Sequence, residues 1–349
     1  SSHWQWLATL QRLHSCINLI SQNSTSSALF PCCDRLFNSA EECAELWKQI
    51  GCDYNVVQIS SGALEGRLRM DRQPGIALVS MQANQSLLIE GSRHPGWIPF
   101  TIEHTDNFSE HRHFGESITP YTLGGFNTQL KETLLRTSPG GNQIGAALME
   151  RSRIEALAEL RSGAQILDQM EVNNSARLTP QAHRRLKRLM PFPAWQGDDV
   201  KQSFQADFLE AELIESLGSC SDSSLRPALK THRSDLVRDL VRLSFQNSTE
   251  PISLLDLCKV LFTTKTTLTV SCREMFGYGP SALLRRIRLQ QVHYVLRHPE
   301  LQQQLGCSGV QAIAGHFGFL SRNHFASAYR EFCSESPRDT VVAAKYLGP

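Results

Sequence analysis

No stretch of this 349-residue chain is both apolar enough and long enough to suggest a membrane span. Its longest uncharged segment, residues 15–33, is loaded with Ser, Asn and Gln, groups that lipid would leave unsatisfied. A basic start followed by an apolar core and a small-residue cleavage site is also missing, so no secretory leader is expected. The 10 cysteines include no C-x-x-C and no Cys/His run at zinc-ligand spacing, and the only close pair is Cys32 and Cys33. Cys258 and Cys272 fall on apolar positions of expected helices, where a reduced thiol acts as a small hydrophobe. These absences point to a reducing, cytoplasmic setting. No Lys-Ser/Thr follows Gly124 and Gly125, or Gly140 and Gly141, at phosphate-loop spacing, so both pairs read as turns.

Net charge is almost absent as well, at +1, but it is unevenly spread. Residues 226–349 hold 16 Lys and Arg against 9 Asp and Glu, whereas residues 1–225 hold 19 against 25. An acidic body is thus joined to a basic tail, which suggests a polyanionic partner for the tail.

What is present divides the chain by pattern. Residues 1–50 read as mixed helix and loop. Ser39 as N-cap, Glu42 completing a capping box and Gly51 as stop predict a helix over residues 39–50. Short β-branched or alternating runs at 54–59, 63–70, 76–79, 86–89, 97–102, 131–136 and 143–149 predict antiparallel strands. Helices follow at 152–170, at 179–190 behind Thr179 and Pro180, and at 198–217. In the last of these Val200, Phe204, Phe208, Leu209 and Leu213 share a face that suits a core or a dimer contact. The Ser-rich residues 218–224 read as a linker, after which helices alone are expected. The fold class is therefore α+β. A small antiparallel β-barrel, cupin-like and flanked by helices, is expected over residues 1–217. A linker takes residues 218–230, and an all-α domain with two helix-turn-helix units takes residues 231–349.

In the first unit Leu254, Leu257, Cys258 and Leu261 face inward, Phe262 and Thr263 turn the chain, and Thr264 caps a second helix. Leu268, Cys272 and Met275 pack inward from that helix, leaving Lys265, Thr266, Thr269 and Arg273 outside. The second unit runs over residues 310–317, turns at Gly318, Phe319 and Leu320, and restarts at Ser321. Its outer face carries Arg322, Asn323, Ala326, Ser327 and Arg330. A long helix between the units, residues 280–296, carries Arg285, Arg286 and Arg288. A short exposed helix of this kind is the size that a DNA major groove admits.

Residues 234–341 resemble the AraC/XylS family of bacterial regulators. The likeness rests on Leu257 and Cys258 with Thr264 and Leu268, on Gly277 with Pro280, on the run from Arg286 to Leu289, on Ile313 and Ala314, on Gly318 and Phe319, and on Phe325, Tyr329, Arg330, Phe332 and Pro337. Within the family, residues 255–258, 277–280 and 284–289 are most similar to the ethanolamine-utilisation regulators. The resemblance implies a sequence-specific DNA-binding transcription regulator, more often an activator than a repressor. A small-molecule effector would bind its N-terminal domain. Double-stranded DNA, RNA polymerase and a second copy of the chain would be its partners, with no membrane, no cofactor and no catalytic role. Base reading would fall on Thr266, Thr269 and Val270 in the first unit and on Arg322, Asn323 and Ser327 in the second. Phosphate contacts would come from Lys265, Arg273, Arg285 and Arg330. Two departures weaken the code, because Val270 and Ser327 stand where family members often have Arg. Cys333 stands where Gly is common, which changes how the last helix ends.

In the body, His111, His113 and Glu116 sketch a metal site of cupin type. The spacing to Glu116 is one residue short, no glycine precedes His111 and no second motif follows, so hydrogen-bonded histidines are the better reading. Two alternatives to the regulator follow from this half of the chain: a cupin-type metal enzyme fused to a DNA-binding tail, and a thiol-based redox sensor using Cys32 and Cys33.

Overall fold

The computed structural model describes residues 32–105, 110–140, 142–160, 164–190, 205–228, 231–246 and 252–347. The reading of residues 1–31 therefore lies outside the described residues, as do Val200 and Phe204. Strand β1 (Cys33–Phe37) leads into helix α1 (Ala40–Gln49), followed by β2 (Tyr54–Gln58), β3 (Gly66–Gln73), β4 (Ile76–Ala83), β5 (Leu87–Ser92) and β6 (Trp97–Glu103). A short hairpin, β7 (Arg112–His113) and β8 (Glu116–Ser117), precedes β9 (Thr122–Gly124), β10 (Glu132–Arg136) and β11 (Asn142–Glu150). Then come α2 (Arg151–Leu160), α3 (Ala164–Val172), β12 (Asn173–Arg177), α4 (Pro180–Leu189) and α5 (Ala206–Gly218). A single 3-10 turn (Asp222–Ser224) leads to β13 (Leu225–Pro227). Among the described residues after β13 the regular elements are all helices: α6 (His232–Gln246), α7 (Leu254–Val260), α8 (Lys265–Phe276), α9 (Pro280–Arg297), α10 (Pro299–Gln304), α11 (Val310–His316), α12 (Arg322–Cys333) and α13 (Pro337–Leu347).

The strands do not close into the expected barrel. They form two antiparallel sheets, one of eight strands in the order β1-β3-β4-β11-β6-β9-β12-β13 and one of five in the order β2-β5-β10-β7-β8. A physical reason lies at the edge strand β2, where a side chain takes the place of a neighbouring strand. Gln290 of α9 accepts from Gln58 N at 3.0 Å and donates to Val56 O at 2.9 Å, so its amide occupies the ladder.

Period-two alternation sorts the side chains into layers. On β4, Ile76 and Leu78 join the cluster formed with α3, α4 and α5, while Ala77, Val79 and Met81 face the space between the sheets. On the smaller sheet Val56 and Ile89 point inward, whereas Val57, Leu88 and Leu134 point outward and pack on α6, α8 and α9. The all-helical half therefore covers an apolar sheet face that water would otherwise meet.

The capping signals of α1 and α4 are realised. Ser39 Oγ accepts from Glu42 N at 3.1 Å, while the Glu42 carboxylate reaches one residue further back, to Asn38 N at 2.8 Å. Thr179 Oγ1 accepts from Ala182 N at 3.2 Å. Residues 218–230 hold the end of α5, the 3-10 turn and β13, with Leu225 buried. On α5, Leu209 and Leu213 are buried, but Phe208, expected on the same face, is 65% exposed, because it lies on the turn of the helix facing away from the cluster.

One turn carries strain. In both helix-turn-helix units the first helix ends with a bond spanning five residues, Thr263 N to Cys258 O and Phe319 N to Ala314 O, both at 2.9 Å. The residue between is left-handed: Gly318 in the second unit (φ 83°), but Phe262 in the first (φ 48°), with its ring 97% exposed. Phe262→Gly is expected to raise stability by about 0.5–1 kcal/mol, because it removes the Cβ clash and uncovers nothing. A lower denaturation midpoint would refute this account of the turn.

Candidate nucleic-acid interface

The two units share one construction. Ser253 caps α7 through Asp256 N, Thr264 caps α8 through Thr267 N at 3.1 Å, and Ser321 caps α12 through His324 N at 3.4 Å. Leu257, Cys258, Leu268, Cys272 and Met275 are buried in the first unit, and Ile313, Ala314, Phe317, Phe325, Tyr329 and Phe332 in the second. Helix α12 continues through the buried Cys333 and stops at Ser334, which adopts the left-handed conformation (φ 62°), one position after the place where the resemblance would put a glycine.

Most of the expected contact residues are open to solvent. Lys265, Thr266, Val270 and Arg273 on α8 are exposed, as are Arg285 on α9 and Arg322, Asn323, Ser327 and Arg330 on α12. Thr269 differs. It is half-buried and its hydroxyl donates to Lys265 O at 2.7 Å, so it offers a methyl group and an acceptor lone pair rather than a free donor. Lys265 and Arg322 are the first residues of α8 and α12, and neither helix has an acid in its first turn. A cation at this position works against the helix dipole, so folding stability does not explain it.

Helix α9, about 27 Å long by its 18 residues, joins the units. Arg286 is not part of the outer face. Its guanidinium lies 5.0 Å from the Tyr278 ring centre and 5.6 Å from that of Phe332, and it donates to Ser61 Oγ at 3.2 Å, so it ties the end of the first unit to the second and to the body. His293 and Tyr329 pair at 2.8 Å, and Tyr329 pairs with Thr340 at the same distance, which locks α12 to α9 and α13.

The body holds both reading helices by their C-terminal ends. Arg136 donates to Met275 O of α8 at 2.7 Å, and Gly62 N donates to Phe332 O of α12 at 2.8 Å. Carbonyls that helix ends leave without partners are thereby satisfied, while the opposite ends stay free. Three further ion pairs cross the same boundary: Arg238 with Glu132 at 2.6 Å, and Arg242 with Glu90 at 2.6 Å and Glu132 at 3.3 Å. None of these was visible in the sequence, since each partner lies a hundred or more residues away.

Residues 257–341 match the sequence family described as "Helix-turn-helix domain". That places the domain on the two units just described. Over 73 residues the chain is 36% identical to the HTH-type transcriptional activator RhaS of Escherichia coli O157:H7, strain EC4115, covering 21% of this chain and 24% of that protein. The chain thus spans about a quarter of the length of the curated relatives it matches. Among solved structures, a probable AraC family transcriptional regulator from Rhodopseudomonas palustris is 27% identical, covering 32% of this chain and 97% of that one, with a TM-score of 0.28. ToxT from Vibrio cholerae, in a form bound to an unsaturated fatty acid, is 11% identical over 91% of this chain and 96% of its own, with a TM-score of 0.29. Overlays at that level add nothing to the architecture read from the chain's own elements.

The body presents a cavity of about 380 Å³ between the two sheets. Phe114, in its wall, also belongs to the cluster formed with α6, α8 and α9, and Gly115 beside it lies against Met275 of α8. The two histidines singled out in the sequence go separate ways. His111 is fully buried with Nδ1 2.9 Å from Glu103 Oε2, whereas His113 Nδ1 pairs with the Asn174 amide at 2.9 Å. Among the described residues no group of three His, Cys, Asp or Glu is placed to hold a metal ion. Burial pushes the Cys52 thiol up to about 11 and those of Cys272 and Cys333 up to about 12, and it raises Cys33 and Cys43 as well. Thiols held in that state are weak nucleophiles near neutrality. No helix among the described residues is long and apolar enough to cross a membrane.

Proposed function

We propose that the chain is a sequence-specific double-stranded DNA-binding transcription regulator, not an enzyme, in which the two helix-turn-helix units read adjacent major-groove segments. The observation that carries this reading is the pair of cations, Lys265 and Arg322, that open the two exposed helices against their own dipoles. A polyanion facing both helix starts explains that placement; folding does not. Arg322, Asn323 and Ser327, with Thr266, Thr269 and Val270, are assigned to bases, and Lys265, Arg273, Arg285 and Arg330 to phosphates. The curated relatives' name, transcriptional activator, suits a role in activation; RNA polymerase and a second copy of the chain are assigned as partners, and the cytoplasm as its place, as part of the same reading. The finer likeness to ethanolamine-utilisation regulators rests on residues 255–289 alone, so it carries no effector over to the body.

The cavity between the sheets is the assigned effector site. Its wall residue Phe114 packs with the first reading unit, so a ligand that moves the β7–β8 hairpin also shifts the support of α8.

The test is fluorescence anisotropy on DNA selected from a randomised pool. Log affinity should fall linearly with log salt, and Lys265→Ala should flatten the slope by about 1 while weakening all sequences alike. Arg322→Ala should instead change the preferred sequence. Lys265→Glu and Arg322→Glu should each melt slightly higher than the parent yet bind DNA far more weakly. Affinity that ignores salt, or survives both charge reversals, would sink the reading.

A further inference from the structure

Several well-covered arginines among the described residues come with carboxylates: Arg67 with Asp34, Arg136 with Glu110, Arg238 with Glu132. Arg93 breaks the pattern. It is 9% exposed, lies just after β5 and lines the cavity, yet among the described residues it has no carboxylate partner. Its Nη1 donates to two backbone carbonyls, Gly125 O at 2.8 Å and Asn127 O at 3.5 Å, and its Nε has no partner. Burial pushes its pKa down only to about 10, so the group is charged at neutral pH. Of the two acids in the lining, Glu103 sits beside His111 and Glu116 is exposed on β8, and neither pairs with Arg93. A buried, uncompensated guanidinium destabilises a fold unless an anion joins it.

The surroundings suit such an anion. His113 is held neutral, pushed down to about 3 by burial and then by the Arg93 charge. With Nδ1 accepting from the Asn174 amide, its proton sits on Nε2, giving a neutral donor. One side of the wall is apolar: Trp47 and Tyr54, with ring centres 5.3 Å apart, stand with Val79, Met81, Ile89 and Leu148, while Ser and Thr residues and the exposed Arg177 and Arg226 line the rest.

We propose that this cavity binds a small monocarboxylic acid with an apolar body, its carboxylate paired with Arg93 and its body against the Trp47 and Tyr54 wall. The proposal deepens, and for its regulatory meaning rests on, the reading of the cavity as an effector site. Three probes of one shape separate charge from bulk: phenylpropanoate, phenylpropanol and phenylpropylamine, titrated calorimetrically into the full chain. Phenylpropanoate should bind at least about tenfold tighter than the alcohol, and the amine should not saturate. Arg93→Met should erase the preference for the acid and, without ligand, melt higher than the parent, since it removes the unpaired charge. Should that variant fail to fold, Ala146→Trp fills the cavity without touching Arg93, and it should abolish phenylpropanoate binding. Equal affinity for acid and alcohol, a preference that survives Arg93→Met, undiminished binding by Ala146→Trp, or no saturable binding of the acid would each overturn the proposal. DNA affinity measured on the same samples separates the two readings. Acid binding that leaves DNA affinity unchanged keeps the site and removes its effector role, whereas failure of the acid with DNA binding intact removes the site alone.

Discussion

Arg242→Met is expected to destabilise the protein by about 3–5 kcal/mol, far more than its partly exposed side chain would suggest. The reason lies with its partner. Glu90, in the middle of β5, is fully buried, and its two oxygens are served by Arg242 Nη2 at 2.6 Å and Asn55 Nδ2 at 2.9 Å. Loss of the arginine strands a carboxylate between the sheet and α6. Replacing both residues, as Glu90→Met with Arg242→Met, should recover most of the loss, because an apolar pair of similar size needs no compensation. Urea denaturation of the parent, the two single variants and the double variant measures this directly. If the double variant is as unstable as Arg242→Met alone, the effect lies in packing and not in a stranded charge.

Stability should also pass through a shallow maximum near pH 7. Burial raises Glu41 from its ordinary 4.5 to about 8, and neither of its oxygens has a hydrogen-bond partner. The folded state therefore holds a proton that the unfolded chain has released, and stability falls as pH rises from 4.5 to 8. Four histidines act in the other direction. Burial pushes His104, His183 and His293 down to about 4 and His113 to about 3, so the unfolded chain takes up protons first and stability falls as pH drops below 6.5. Each such proton contributes about 1.4 kcal/mol per pH unit. Below about pH 7 the four histidines together outweigh the one acid, and above about pH 7.5 Glu41 dominates. Between pH 6.5 and 8 the parent should therefore stay nearly level, whereas Glu41→Gln, which lacks the opposing acid, should gain roughly 1.5 kcal/mol. Parallel curves for the two proteins across that interval would contradict the assignment.

How much of this was legible beforehand depends on the distance over which each feature is decided. The caps at Ser39, Thr179, Thr264 and Ser321 are local events, three residues from their partners, and all four were readable. The two turns at Phe262 and Gly318 were also readable, although that Phe262 must go left-handed was not. Strand β12 was invisible. Asn173, Asn174, Ser175 and Arg177 have no liking for extended structure, and only pairing with β9 and β13 makes them a strand. Closure into a barrel was expected from many short strands, but strand number does not say which edges meet. The outer faces of α8 and α12 followed from helical periodicity, whereas the covered, back-bonded state of Thr269 did not. Arg93 and Gln290 carry no sequence signal at all, since their character comes from what stands across a cavity or a boundary.

Gln290 also sets a condition on any motion between the halves. While its amide stays in place, β2 has no vacant ladder position at Val56 and Gln58. If α9 were to lift away, that edge would be open to any passing extended segment, including the same strand of another molecule. One glutamine thus serves both as a tie between the halves and as the guard of this edge, and a chain selected for freer movement would need some other guard along β2.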